Sequence, residues 1–333
     1  MKRASAFADF FSEYEVDTVK KPKTEWPVCA LNPESHHAYK FEDKEVESEP
    51  QELGYPQKAD EEEDMTAQMY YTTFIARTAE QCLKEAAAPQ RSIEWKQARK
   101  FCLTASDFGS AAGSNPYSNA DDLVKKKLWE TFNGNAATQW GTEHEPHAEE
   151  SFLLWAKANI SSDAELFTLN LTKFSDMPWL GLSPDGILIY SSNGKICADL
   201  VEYKCPTRDS TDSHPYSKYP KCTPPYYRHQ MLGIWSLFNI HGGLQLKFKN
   251  EDVFVSELGC AWFVVWQPDQ LYIVKHEFDL EEWNTDLFPK LRAWYFKQYL
   301  PALVWHYNKR LEKGEIIPSS VPITLEDFTQ PNS

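Results

Sequence analysis

Residues 196–206 read ICADLVEYKCP, and most of this stretch favours a buried strand. Its aliphatic side chains suit a pleated apolar setting, and Pro206 ends the run because it lacks a backbone donor. Glu202 and Lys204 nevertheless lie two residues apart, so an acid and a base point to one face of the strand. A strand that could carry hydrophobic side chains at both positions therefore carries charge instead.

A tight turn upstream determines which residue faces that acid. Asn193–Gly194 is typical of a two-residue type I′ hairpin loop, and with this loop Asp185 pairs directly with Glu202. Opposed residues of an antiparallel pair share a face, with Cβ atoms about 4.5–5.5 Å apart. Lys204 lies on the same face. The sequence therefore predicts two acids and one base at the end of a hairpin, provided that no bulge shifts the register.

Two opposed carboxylates repel each other, and a divalent cation between them reverses that effect. Hard oxygen ligands at about 2.0–2.6 Å suit Mg²⁺ or Ca²⁺. Lys204 is then placed to hold a water molecule or a developing anion beside the metal, and Gly186 leaves room for a substrate. The alternative is an ordinary exposed strand, on which Glu202 and Lys204 take part in cross-strand ion pairs.

The charge and the cysteine content limit the classes of protein to which the chain can belong. The chain has 333 residues and a formal net charge of −15, which at first argues against a nucleic-acid partner. More than half of that charge falls on residues 1–64, so the net charge does not exclude one. The seven cysteines are odd in number and form no CxxC pair, which indicates a reduced, intracellular protein without a structural zinc site. The sequence predicts neither a secretory signal nor a membrane span.

Composition divides the chain into three parts. Residues 1–64 predict an acidic, disordered extension, residues 65–312 one folded domain, and residues 313–333 a loose tail. Within the domain, helices are expected over residues 65–88 and 142–158. Strand-like runs between and after the helices predict an α/β (α+β) domain, in which helices flank a central mixed sheet.

Prolines and apolar spacing refine two of the helices. In the helix predicted over residues 142–158, Pro146 lies near the start. Its apolar stripe consists of Ala148, Phe152, Trp155 and Ala156. The helical stretch near the C-terminus contains Pro289 and Pro301, and we expect it to break or kink at both.

Several short motifs resemble those of one known group of enzymes. SPDG at 183–186, a hairpin, and VEYKCP at 201–206 resemble the core of the PD-(D/E)xK nucleases. More narrowly, they resemble the phage lambda exonuclease and YqaJ-type viral recombinase family. Three further blocks agree with that family in order and spacing. They are Trp95-x3-Arg99-x4-Thr104-Ala105-Ser106, WGTEHEPHA at 140–148, and Tyr227-x-x-Gln230.

The resemblance runs from about Trp95 to Phe278 and implies a restriction-endonuclease-like core with a metal-centred site. The metal ligands that it implies are Asp185, Glu202, the backbone carbonyl of Tyr203, and Glu145. Lys204 becomes the catalytic lysine, and Gln230 helps to orient Lys204 or the nucleophile. Glu143 is a rival to Glu145, which we prefer for its spacing from Gly141. Gln230 has the alternative of being a polar residue on a helix surface.

The resemblance also implies a pocket for a terminal 5′-phosphate, made by Arg99, Thr104 and Ser106. A guanidinium binds phosphate through two parallel hydrogen bonds, and hydroxyls near a helix start add donors where the helix dipole favours anions. Plain N-capping by the two hydroxyls is the alternative, and capping and phosphate binding are compatible. Asp176, upstream of the SPDG block, is one residue out of register, so we leave it out of the site.

The activity implied is that of a metal-dependent deoxyribonuclease that digests double-stranded DNA from its ends, 5′ to 3′, in recombination or repair. Mg²⁺ is the implied cofactor and Mn²⁺ its substitute. A single-strand annealing protein and a ring-shaped homo-oligomer are compatible with the resemblance. The alternatives are a structure-selective endonuclease on the same core, a non-catalytic DNA-binding relative, and a glycosidase that pairs Glu145 or Asp185 with Glu202.

Overall fold

The computed structural model of the chain describes residues 65–88, 92–129, 135–207, 223–268 and 270–313. The predicted extension over residues 1–64 and the predicted tail, apart from its first residue, lie outside the described residues. The five cysteines among the described residues are free thiols. In the same part of the chain, no helix combines the length and the apolar character that crossing a membrane requires.

The strands of the described part are short, and most of them follow Leu180. They are β1 Leu103–Thr104, β2 Glu165–Phe167, β3 Leu180–Gly181, β4 Gly186–Ser192, β5 Lys195–Lys204, β6 Leu244–Phe248, β7 Glu251–Val255, β8 Ala261–Gln267 and β9 Gln270–His276.

The α-helical segments come before, between and after these strands. They are α1 Ala67–Tyr70, α2 Ala79–Ala86, α3 Ile93–Lys100, α4 Phe108–Ala111, α5 Ala120–Trp129, α6 Ala136–Asn159, α7 Pro225–Ile240, α8 Leu280–Glu282, α9 Phe288–Trp294 and α10 Leu300–Glu312.

Five strands form the central sheet, in the order β2-β4-β5-β8-β9. The β5–β8 pair is parallel and the other three pairs are antiparallel. The predicted α/β class, with a central mixed sheet flanked by helices, is therefore confirmed. The β6–β7 hairpin was not predicted, because its turn uses Lys249 and Asn250 at positive φ rather than a glycine.

The β4–β5 hairpin has the register that the sequence predicts. Ser192 pairs with Lys195 and Gly186 pairs with Val201. The turn residues Asn193 and Gly194 have φ angles of 51° and 74°, as a type I′ turn requires. Because no bulge interrupts the pairing, Asp185, the residue before β4, lies opposite Glu202 of β5.

The helix predicted over residues 65–88 is wrong in one respect, because it is broken in the middle. α1 continues into a π-helical turn, Tyr71–Ile75, and a new helix begins after Thr78. The Thr78 hydroxyl accepts from Gln81 N, and the Gln81 side chain accepts from Thr78 N. This capping box favours a helix start over continuation of the first helix.

α6 is longer than predicted and packs one face of the sheet. It begins after Asn135, whose side chain caps it, so Pro146 lies inside the helix rather than near its start. The predicted apolar stripe is buried at Ala148, Phe152 and Ala156, and half-buried at Trp155. It packs against Val201, Tyr203 and Val264 of β5 and β8.

The C-terminal helical stretch keeps helical backbone angles past both prolines, so the predicted breaks do not occur. A π-helical turn comes before each proline, over Trp283–Leu287 and Tyr295–Tyr299. Each proline then occupies the first turn of the next α-helical segment, where its missing N–H costs least. The buried Tyr295 and Tyr299 hydroxyls donate to carbonyls at the end of α3 and so position the residues that follow it.

Candidate active site

The end of the β4–β5 hairpin gathers two acids and one lysine. Asp185 Oδ2 accepts a hydrogen bond of 2.9 Å from the Tyr203 backbone N–H. Lys204 Nζ lies 3.8 Å from Asp185 Oδ2, donates to the Tyr203 carbonyl oxygen at 2.9 Å, and donates to Glu202 Oε1. The structure therefore brings together the three side chains that the hairpin register predicted.

Glu202 is buried, with only 1% of its surface exposed. The alternative of an ordinary exposed strand is therefore wrong at this position. Gln230, on α7, is also buried and donates from Nε2 to Glu202 Oε1 at 2.6 Å. It is not a surface residue, and its contact is with Glu202 rather than with Lys204. Glu202 Oε2 is buried and has no hydrogen-bond partner among the described residues.

The charges of this cluster shift one another's pKa values. Burial and the negative charge of Asp185 raise the pKa of Glu202, although Lys204 opposes the shift. Burial lowers the pKa of Lys204, but the two carboxylates outweigh it and raise that pKa above its ordinary value. Lys204 is therefore a charged ammonium at neutral pH. Together the three groups leave one negative charge uncompensated when both acids are ionised.

The donor set fits a hard divalent cation. Mg²⁺ in proteins is held by one or two carboxylates, with water and substrate phosphate completing the octahedron. Asp185 and Glu202 supply two carboxylates, and the unpartnered Glu202 Oε2 is a buried oxygen of the required kind. No group of three or more His, Cys, Asp or Glu residues in the described part of the chain is placed to hold a metal by itself. The two carboxylates, with the buried unpartnered oxygen of Glu202, fit Mg²⁺ whose remaining positions water and substrate phosphate would fill.

Glu145 lies at the same end of β5, on α6. A Cβ atom on Gly141, one helical turn before Glu145, would lie 3.9 Å from the Cys205 carbonyl oxygen, and burial, then the charge of Glu145, raise the pKa of the Cys205 thiol to about 12. The rival Glu143 is exposed and accepts from Gln139 Nε2 at 2.8 Å. The structure thus brings Glu145, and not Glu143, towards the cluster. Ligation of a metal by Glu145 stays a prediction.

A second glutamate of α6 was missed by the sequence analysis. Glu149 is half-buried, and burial together with the charge of Asp185 raises its pKa. It therefore lies near the acid that heads β4. Its spacing of four residues from Glu145 is the signal that could have found it, because residues four apart share one helix face.

The predicted phosphate residues lie around the C-terminal end of α3, with Arg99 in its last turn and Thr104 and Ser106 after it. The Arg99 guanidinium stacks on the Trp95 ring, 4.2 Å from its centroid. Thr104 and Ser106 hydroxyl oxygens are 3.2 Å apart, and Thr104 also donates to Asp107 Oδ2 at 2.8 Å. The Thr104 side chain makes no capping bond to the short helical turn after it, so plain N-capping does not explain this hydroxyl.

Asp107 and Lys127 complete this cluster, and sequence reasoning missed both. Lys127 Nζ donates to Asp107 Oδ2 at 3.1 Å. Burial opposes ionisation of Asp107, but Lys127 and Thr104 outweigh it and lower its pKa. Asp107 directly follows the Thr-Ala-Ser block, which is a local signal, whereas Lys127 lies 20 residues away on α5 and gives none.

Close packing connects the phosphate residues to the hairpin end. A Cβ atom on Gly109 would lie 2.3 Å from Tyr226 Cβ, so the glycine lets α4 lie directly on α7. The next residue of α7, Tyr227, places its ring 4.8 Å from Lys204 Nζ. The two predicted clusters thus lie against the same stretch of α7.

Asp176 lies elsewhere, as the sequence analysis assumed when it left this residue out. It is exposed, and its carboxylate contacts His241 Nε2 at 2.9 Å.

Residues 94–235 match the sequence profile of the YqaJ-like viral recombinase domain. No curated protein matches the chain. An alkaline exonuclease from Laribacter hongkongensis is similar at 21% identity and a TM-score of 0.44, over 67% of this chain and 99% of that one. The same exonuclease in complex with dAMP gives 19% identity and a TM-score of 0.43, over 65% and 96%. The shutoff and exonuclease protein of Kaposi's sarcoma-associated herpesvirus gives 9% identity and a TM-score of 0.32, over 68% and 73%.

Proposed function

We propose that the chain is a DNA exonuclease, on the premise that residues 94–235 match the YqaJ-like viral recombinase domain to which the motifs point. It hydrolyses phosphodiester bonds of double-stranded DNA from the ends, 5′ to 3′, with a divalent metal. The observation that carries the proposal is the meeting of Asp185, Glu202 and Lys204 at one end of the β4–β5 hairpin.

Asp185 and Glu202 would hold Mg²⁺, or Mn²⁺ in its place, and the Tyr203 carbonyl and Glu145 complete the predicted ligand set. When bound, such an ion supplies a Lewis acid that neutralises charge on the scissile phosphate and promotes ionisation of water. The Tyr203 N–H fixes Asp185, and Gln230 fixes Glu202, so both carboxylates are oriented before substrate arrives. Pre-organisation of this kind avoids reorganisation during the reaction.

Lys204 has the second role in this proposal. Its ammonium is charged, it is one-fifth exposed, and it lies between the two acids. From there it donates a hydrogen bond to the phosphate oxygens as negative charge develops on them. Tyr227, whose ring faces Lys204 Nζ, restricts where the ammonium can point.

The cluster after α3 selects the DNA end. Arg99, Thr104 and Ser106 receive the terminal 5′-phosphate, while Lys127 neutralises Asp107 and so prevents repulsion of the anion. The product is a single strand, for which an annealing protein is a suitable partner. A ring-shaped homo-oligomer would hold the DNA during successive cuts.

The test compares linear 5′-phosphorylated duplex, linear 5′-hydroxyl duplex and closed circular duplex in Mg²⁺. We expect the phosphorylated ends to be digested fastest and the circle to survive. Lys204→Ala should lower the rate about 10²- to 10³-fold, because a pre-organised donor is lost. Lys249→Ala is the matched control, since Lys249 is an exposed lysine that bonds Asp163 instead.

Three other results would change the assignment. Equal cutting of the circular and linear forms would favour the structure-selective endonuclease. DNA binding without any turnover, in wild type and in Lys204→Ala alike, would favour a non-catalytic relative. Turnover that survives EDTA would contradict the need for a divalent metal.

A further inference from the structure

Three tyrosines lead from the protein surface to Lys204. Tyr117, in the loop between α4 and α5, is 71% exposed. Its ring meets the Tyr226 ring edge-on at 6.2 Å, and the Tyr226 and Tyr227 rings are 4.3 Å apart. Tyr227 in turn faces Lys204 Nζ at 4.8 Å. Tyr117, Tyr226 and Tyr227 are called the tyrosine row below.

The loop that carries Tyr117 is held in place by its own hydrogen bonds. Asn115 Oδ1 accepts from Tyr117 N at 3.0 Å, and Asn115 Nδ2 donates to Ser110 Oγ at 2.9 Å. Ser114 Oγ donates to Gly109 O at 3.1 Å. An exposed ring on a fixed backbone loses little conformational freedom when it binds a ligand.

Two members of the tyrosine row, Tyr226 and Tyr227, lie on α7 between Gly109 and Lys204, and Tyr117 extends the row to the surface. Gly109, three residues after Ser106, packs directly on Tyr226, and Tyr227 packs on Lys204. An exonuclease that holds a 5′-phosphate at one cluster and cuts the next phosphate at the other must accommodate one nucleotide between them. The base of that nucleotide leaves the duplex stack and needs a new apolar contact.

We propose that Tyr117, supported by Tyr226, stacks on the base of the 5′-terminal nucleotide. This inference rests on the proposed exonuclease function and names the part of the substrate that the tyrosine row reads. Aromatic side chains bind bases of any sequence through their π faces, with a gain of about five- to a hundredfold in affinity per base. Tyr117 is therefore a binding residue that selects for a base at the DNA end, without selecting which base.

The experiment follows removal of the first nucleotide from 5′-phosphorylated duplexes that end in a natural nucleotide or in an abasic tetrahydrofuran residue. Wild type should remove the natural end about tenfold faster at subsaturating DNA. Tyr117→Ala should lose about tenfold on the natural end, through KM rather than kcat, and should no longer distinguish the two ends. Tyr117→Phe keeps the ring and should behave as wild type.

Phe254→Ala is the matched control, because Phe254 is a 64% exposed aromatic residue on the β6–β7 hairpin. It should leave both rates unchanged. An active wild type that removes both ends equally, or a Tyr117→Ala variant that still discriminates between them, would contradict the role of Tyr117 but not the proposed exonuclease function. A wild type that digests no linear DNA contradicts the proposed function instead, so the two failures are distinguishable.

Discussion

At the end of the β4–β5 hairpin two carboxylates share one lysine. In the Asp107 cluster, which consists of Arg99, Thr104, Ser106, Asp107 and the lysines of α5, several cations share one carboxylate. Asp185 and Glu202 flank Lys204 in the first cluster. In the second, Asp107 interacts with Lys127 directly, and with Lys126 and Arg99 through their charges. Both clusters combine acids with cationic side chains, and both are partly buried.

The difference between them is the sign of the charge left over. With both acids ionised, the hairpin end carries one excess negative charge and suits a cation, whereas the Asp107 cluster carries excess positive charge and suits an anion such as phosphate. The acids and bases of a site therefore indicate the charge of its ligand only once their net charge has been counted. Mutations that change this balance test the comparison directly.

The largest effect is expected from Asp185→Asn. The variant removes one of two carboxylates from the hairpin end and leaves a cluster without excess negative charge, so binding of a divalent cation should be lost. We expect DNA hydrolysis to fall about 10³-fold. Calorimetric titration with Mg²⁺ or Mn²⁺, together with digestion of linear duplex DNA, measures both effects.

Asp176→Asn is the control for this variant, because Asp176 is an exposed aspartate whose partner is His241. It should bind the cation and digest DNA like the wild type. If Asp185→Asn binds the cation as tightly as wild type does, the hairpin end is not the cation site, whatever the rate of digestion.

The next largest effect is expected from Arg99→Gln in the Asp107 cluster. This change removes a guanidinium that suits phosphate and leaves a shorter, uncharged polar side chain. The preference for 5′-phosphorylated over 5′-hydroxyl ends should fall about a hundredfold, since charged hydrogen bonds to the phosphate are lost. Digestion of the 5′-hydroxyl substrate should change little, and this substrate is the internal control.

A variant that slows both substrates equally would mean that Arg99 stabilises the fold rather than the DNA end. Arg99 packs on Trp95, so thermal unfolding of the variant decides between these two explanations. An unchanged melting temperature with equal slowing would remove Arg99 from the phosphate site altogether.

The hairpin end could be predicted from sequence because local rules determine it. Asn193–Gly194 selects a turn, the turn selects the pairing, and the twofold period of strands then places Asp185, Glu202 and Lys204 on one face. The succession of helices and hairpin-linked strands likewise predicted the class of the central sheet, whereas the parallel β5–β8 pair joins strands about 60 residues apart.

Only some residues of the Asp107 cluster could be predicted from the sequence. The match of Arg99, Thr104 and Ser106 to a known motif indicated a phosphate site, but Lys127 reaches Asp107 from another helix. Which distant helix supplies a cation depends on tertiary packing, and no local pattern encodes it. The same holds for Glu149, whose proximity to Asp185 depends on how α6 lies against the sheet.

One buried histidine, beside Gln230 on α7, contacts the loop after α4. His229, next to Gln230 on α7, lies 2.9 Å from Ser114 Oγ through its Nδ1. The Ser114 hydroxyl donates to Gly109 O, so it accepts from His229 Nδ1–H. Burial, and next the charge of Lys290, lower the pKa of His229 to about 4 from its ordinary 6.5.

The smallest effect is therefore expected from acid, through this histidine. Between pH 6.5 and 4, residue 229 binds a proton in the unfolded chain but stays neutral in the folded one. The free energy of unfolding therefore falls as the pH falls through that window. From pH 7.5 to 4.5 the wild type should lose about 2 kcal/mol more than His229→Gln, measured by urea unfolding. His147→Gln, at an exposed position on α6, should follow the wild type. Equal acid sensitivity of wild type and His229→Gln would show that folded His229 binds its proton as readily as the unfolded chain does.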